Sequence, residues 1–145
     1  MILSSISLVC SGQTAEDEAL VKKVIITFEQ DFNEGSFKNA ASYTTTDWQH
    51  INPGGGITKG REQVLKEVRG VHQTFLKGVS MHIEKMNIRF ITSDVAVGDV
   101  VHQLSPYELP KGVKHEKERQ LKTYVVVRKQ GKWLLIHDQN TIIQE

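Results

Sequence analysis

Cysteine is nearly absent from the chain: Cys10 stands alone among 145 residues. An internal disulfide framework and the cysteine-rich zinc sites are therefore excluded. Net charge is also missing, since 18 basic residues face 17 acidic ones and leave +1. No long-range field gathers phosphates or anionic headgroups, so neither nucleic acid nor a membrane surface is an expected partner. No stretch reaches the ~20 apolar residues that span a bilayer. There is no internal repeat and no low-complexity segment.

The common motifs of chemistry are missing too. GGGITKG lacks the G-x-x-x-x-G-K-[ST] spacing of a phosphate loop, and no strand-to-helix G-x-G-x-x-G occurs. The six histidines contain no H-E-x-x-H, and no serine sits in G-x-S-x-G. No metal, no cofactor and no covalent nucleophile is expected. The run KHEKERQLK is read as a solvated loop and strand entrance.

The length fits a single domain with a core of its own. The opening MILSSISLVCSGQTA has an apolar run about as long as a short export signal but no basic segment before it. Residues 1–14 are read as an N-terminal extension or partial export signal, and 15–145 as the domain. Localisation stays open, with the cytoplasm weighed slightly above export.

Thr14 caps a helix, with Asp17 three residues on. Leu20, Val24, Phe28 and Phe32, with Val21 and Ile25, form its apolar stripe, and Gly35 ends it. Ser36 is read as the cap of a short second helix with Phe37, Ala40, Ala41 and Tyr43 inward. Residues 48–52 read as a short strand, and Pro53 with Gly54, Gly55 and Gly56 as a turn. A third helix, 61–76, turns Val64, Leu65, Val68, Val71, His72 and Phe75 inward. Beyond Gly78 the period changes to that of strands, at 79–92, 95–105, 119–129 and 132–142. Helices followed by strands predict an α+β domain in which a curved antiparallel sheet wraps three helices.

The candidate chemistry follows from facing. Trp48, His50 and Asn52 share one face of the short strand. If that face looks at the helices, it lines a pocket with a donor, a base and an amide. His72 points inward beside Phe75. On the strand 95–105, His102 shares parity with Ala96 and Gly98. On the last strand Trp133, Leu135, His137 and Gln139 share one face, and Leu134, Ile136, Asp138 and Asn140 the other. A single bulge would invert that assignment. His50 and His72 are the candidate acid/base residues, with Asn52, Tyr124 or Gln139 orienting a carbonyl or hydroxyl. Desolvation favours a neutral imidazole, which suits a base near neutral pH.

The stretches FEQDFNEGSFKNAASYTTTDWQHINPGG, KGREQV followed by His72, and KQGKWLLIHDQNT together resemble the SgcJ/EcaC-type members of the SnoaL-like superfamily. These share the cone-shaped, cystatin-like fold of ketosteroid isomerase, scytalone dehydratase and nuclear transport factor 2. The resemblance covers about residues 15–143. It implies a pocket between the helices and the concave sheet, and a homodimer through the outer sheet face. Ketosteroid isomerase relatives carry an Asp base just before a Pro, where this chain has Asn52, and Asn takes no proton. The resemblance thus implies a protein that binds a small hydrophobic molecule. Trp48, Asn52, Phe75, His102, Tyr124, His137 and Gln139 are its expected contacts, and proton transfer of an isomerase, dehydratase or cyclase type is the candidate chemistry. The alternative is a non-catalytic accessory or homo-oligomeric assembly module of the same fold.

Overall fold

A computed structural model of the chain describes residues 14–144. Cys10 and nearly all of the extension read as a partial export signal lie outside the described residues. Helix α1, Ala15–Glu34, begins where expected: Thr14 Oγ1 accepts from the Asp17 backbone N–H at 3.0 Å. Gly35 ends it in the left-handed conformation, φ 73°, returning its N–H to the carbonyls of Asp31 and Phe32. Val21, Val24, Ile25 and Phe28 are buried, whereas Leu20, at the edge of the stripe, is 40% exposed.

Helix α2 is only Ala40–Tyr43, and its cap position is Asn39 rather than Ser36. Phe37, Ala40 and Tyr43 are buried but Ala41 is exposed. The connection is tied down by Asp31 on α1. This buried carboxylate accepts from Asn39 Nδ2 at 2.8 Å, from the Asn39 backbone N–H and from the Tyr43 hydroxyl at 3.0 Å.

Strand β1, Thr44–Ile51, starts earlier than the sequence pattern suggests, and a short β2, Ile57–Lys59, follows the glycine turn. Helix α3 is Arg61–His72, with turns carrying the chain on to Gly78. Then come β3 (Met81–Thr92), β4 (Val95–Leu104), a small ladder of β5 (Tyr107–Glu108) with β6 (Lys114–His115), β7 (Arg119–Lys129) and β8 (Lys132–Ile142). The main sheet runs β2-β1-β8-β7-β4-β3. It is mixed rather than wholly antiparallel, because β1 lies parallel to β8. The whole intervening chain connects those two strands, so no hairpin dictates their direction.

Two irregularities set which residues face the helices. In β8, Leu135 pairs with Val126 and His137 with Val125, so Ile136 is the extra residue of a bulge. The second is Gly98 on β4, where α1 comes close. A Cβ there would lie 2.7 Å from Ile25 Cδ1 and 3.0 Å from Ile88 Cδ1. Gly98→Val is therefore expected to destabilise by about 1–3 kcal/mol through overpacking. Gly98→Ala should lose less, because the terminal methyls of isoleucine can swing aside. Urea midpoints measure both, and an unchanged midpoint for the valine variant would contradict the close approach.

Candidate functional site

Between the helices and the concave face lies a cavity of about 480 Å³, within the range of small-molecule sites. Phe28, Phe32, Val71, His72 and Phe75 line it from the helical side, and His50, Asn52, Gln120, Lys122 and Asn140 from the sheet. Tyr107 and Leu109 come from the segment that carries the small ladder.

The polar end is organised by Asp138, which is fully buried. The Ile136 bulge brings it there by shifting the inward set of β8 from Trp133 and Leu135 to Asp138, Asn140 and Ile142. Parallel pairing of β1 with β8 then sets Asp138 opposite His50. Trp48 Nε1 donates to Asp138 Oδ1 at 2.6 Å, and His50 Nδ1 lies 2.7 Å from Oδ2. Lys122 Nζ reaches the same oxygen at 2.6 Å and sits 4.3 Å above the Phe28 ring centre. Burial opposes ionisation of Asp138, but Lys122 and then His50 outweigh it and hold the carboxyl well below the usual range. A carboxylate can only accept, so His50 Nδ1 carries the proton in this bond. His50 Nε2 makes no hydrogen bond among the described residues, and the residue lines the cavity.

His72 is held differently. Its Nδ1 donates to the Val68 carbonyl at 2.7 Å, and its ring packs T-shaped against Phe32 and Phe37 with ring centres 4.5 and 5.3 Å apart. Burial lowers its pKa against the opposing pull of the Val68 and Phe32 carbonyls. Gly35 packs against it, since a Cβ there would lie 3.4 Å from the ring.

The glycine turn serves Asn52. Its Oδ1 accepts from the N–H groups of Gly54 and Gly56, both at 3.0 Å, and its Nδ2 donates to Glu67 Oε1 at 3.1 Å. A Cβ at position 56 would come within 2.6 Å of Asn52 Nδ2, which is why glycine stands there.

Of the residues expected from the sequence, His50, Asn52, His72 and Phe75 line the cavity. Trp48 lies behind it, fully buried against Asp138. His102 and Tyr124 face inward but below the cavity floor, bonded to each other at 2.8 Å and wholly buried. His137 and Gln139 fall on the outer face, because the bulge inverts the parity that grouped them with Trp133. Sequence reasoning missed Asp138, Lys122, Asn140, Gln120 and Glu67. Lys122 and Gln120 share parity with Tyr124, and a lysine at an inward position of an apolar strand was the available signal. Among the described residues no group of three potential ligands could hold a metal ion, and no helix is long and apolar enough to cross a membrane.

Residues 17–141 match the family model described as calcium/calmodulin dependent protein kinase II association domain. No curated protein sequence matches the chain at a significant level. Among solved structures, an uncharacterized protein with a cystatin-like fold from Caulobacter vibrioides superposes with a TM-score of 0.83. It is 22% identical, over 89% of this chain and 91% of that one. Hexachlorocyclohexane dehydrochlorinase LinA-type3 from Novosphingobium barchaimii LL02 gives 0.79 at 16% identity, over 89% and 88%. A ketosteroid isomerase-like protein from Erwinia carotovora atroseptica gives 0.75 at 15%, over 91% and 100%. At such identities the likeness is one of fold. The fold is the cystatin-like one, and the SnoaL-like superfamily with its SgcJ/EcaC subgroup stays a resemblance. With this architecture, and a family model matching nearly the whole described chain, the protein belongs to the calcium/calmodulin dependent protein kinase II association domain family.

Proposed function

We propose that the cavity binds a small, largely apolar molecule and that His50 moves a proton on it. One observation carries the reading. The His50 ring is clamped through Nδ1 by the buried Asp138 carboxylate, while its Nε2, on a cavity-lining residue, has no partner among the described residues. That arrangement fixes the tautomer, with the proton on Nδ1 and the Nε2 lone pair turned over to a ligand. Lys122 compensates the Asp138 charge, so the carboxylate stays available in a buried place. His50 with Asp138 would thus replace the base that Asn52 cannot be. His72, whose Nδ1 is committed to Val68, serves as wall and positioning group.

A second reading has its own observation. The outer face of β4, β7 and β8 presents Val95, Val97, Val101, Leu121, Val125, Val127 and Leu134, interspersed with Asp99, Thr123, His137 and Gln139, and Leu121 is 40% exposed. Together with the association-domain description of the family, this supports a homodimer through the sheet, as pocket protein or as assembly module.

Native mass spectrometry of protein purified from its own host addresses both readings. A retained small molecule that is absent from a cavity-filling Val71→Trp variant is the expected result, together with a dimer mass that Val125→Asp reduces to monomer. In deuterated water, the wild type should exchange a proton of the released molecule about 10²–10⁴-fold faster than His50→Gln does. Equal exchange rates would remove the catalytic half and leave a binding or assembly protein.

A further inference from the structure

Given the reading of the cavity as a ligand site, we infer that its occupant is a protonated hydrophobic amine whose ammonium group lies at Glu67. Among the described residues the cavity wall carries two charged side chains, Lys122 and Glu67, and they are in different states. Lys122 is neutralised by Asp138 at 2.6 Å. Glu67 is not neutralised. Its Oε1 accepts from Asn52 Nδ2 at 3.1 Å and its Oε2 from the Thr58 hydroxyl, both neutral donors. Among the described residues it enters no ion pair. Glu67, half-buried in a largely apolar wall, therefore carries a formal negative charge that no cation among the described lining residues cancels.

The remainder of the wall suits a cation with an apolar body. Five aromatic rings line the cavity: Phe28, Phe32, Phe37, Phe75 and Tyr107. Ring faces attract cations, and one of them already does so here, with Lys122 Nζ above Phe28. Glu67 and Val71 lie one helical turn apart on α3 and Phe75 follows in the turns beyond it, a polar-to-apolar stripe of cavity-lining residues. A ligand lying along that stripe would put its charged end at Glu67 and its hydrocarbon against Val71 and Phe75. A carboxylate or phosphate ligand would find no uncompensated cation among the described lining residues. A neutral ligand would cover Glu67 without answering its charge, and desolvating an unpaired carboxylate is costly.

The experiment uses three probes of one skeleton: phenylbutylamine, phenylbutanol and phenylbutyrate, which are cationic, neutral and anionic at neutral pH. Each is titrated calorimetrically into the full chain at low salt. The amine is expected to bind at least about 10-fold more tightly than the other two, a difference of about 1.4 kcal/mol. Glu67→Gln, which keeps an oxygen for Asn52, should erase the preference. If that variant does not fold, the wild type still decides, because a charge-driven preference shrinks as salt is raised. Alcohol or carboxylate binding as tightly as the amine overturns the inference and leaves the pocket reading standing. Failure of all three probes to bind also overturns it, and the molecule retained from the host then judges the pocket reading separately.

Discussion

Asp138→Ala is expected to destabilise the fold by about 3–5 kcal/mol, the range for removing one partner of a buried ion pair. The Lys122 ammonium, 3% exposed, would lose its counter-charge, and Trp48 and His50 would lose their acceptor. The damage arises from what is left behind rather than from the net worth of the pair. Hence a double replacement, Asp138→Leu with Lys122→Met, should recover much of the loss, since an apolar pair leaves no charge stranded. Stability would return without the clamp on His50, separating the structural role of Asp138 from its role in orienting the base. Urea unfolding of the single and double variants measures this, and a single-variant loss under about 1 kcal/mol would mean that Lys122 finds water or another partner. The Asp138 contribution also depends on pH. Its folded pKa lies below its unfolded one, so its stabilisation is present above the unfolded value near 3.9 and is lost as pH falls through the folded value.

Stability is expected to fall between about pH 6.5 and pH 3, with His102 as a principal cause. His102 is wholly buried, its Nε2 bonded to the Tyr124 hydroxyl at 2.8 Å and its Nδ1 facing Glu29 Oε2 at 3.6 Å. Burial first, then the positive charges of Lys122 and His82, push its pKa down to about 3. An unfolded histidine takes its proton near 6.5, so between those limits the unfolded chain binds more protons and stability rises with pH. The full contribution is present above about 6.5 and is lost at up to about 1.4 kcal/mol per pH unit on acidification. His72, also lowered by burial, acts in the same direction. Glu29 opposes them. Burial raises its pKa, so its contribution is present below its unfolded value and is lost as pH rises through the folded one. In His102→Gln an amide can still meet Tyr124 but has nothing to titrate. The slope of unfolding free energy against pH should flatten in this variant, and an unchanged slope would assign the acid sensitivity elsewhere.

The buried His102–Tyr124 pair and the cavity-lining Glu67 differ in how far they could be read from sequence. His102 was visible, because strand alternation put it with Ala96 and Gly98 on the side that packs against α1. Its partner Tyr124 was visible by the same rule. Their place beneath the cavity rather than in its wall depends on how deeply α1 settles onto β4 over Gly98, a matter of packing distance rather than period. Glu67 was hidden for another reason. Helix periodicity puts a glutamate beside the apolar stripe of α3, where it reads as solvated until Asn52 and Thr58 are seen to hold it.

What the sequence determined by itself was the local order: the Thr14 cap, the Gly35 stop, the apolar faces of α1 and α3, the long strands and their turns. From these came an α+β domain with a curved sheet around its helices, His72 and Phe75 on the inner side of the third helix, and His50 with Asn52 on one face of the short strand. Each follows from backbone preferences and side-chain periods that act over a few residues. Tertiary structure alone decided the chemistry of the polar end. The bulge at Ile136 swaps Asp138 for His137 on the inner face, and parallel pairing sets Asp138 against His50, 88 residues away. Lys122 can be buried only because that carboxylate is there to meet it. Register, bulges and charge pairing answer to contacts between distant segments, where the cost of an unpaired buried charge selects among arrangements that local pattern leaves equal.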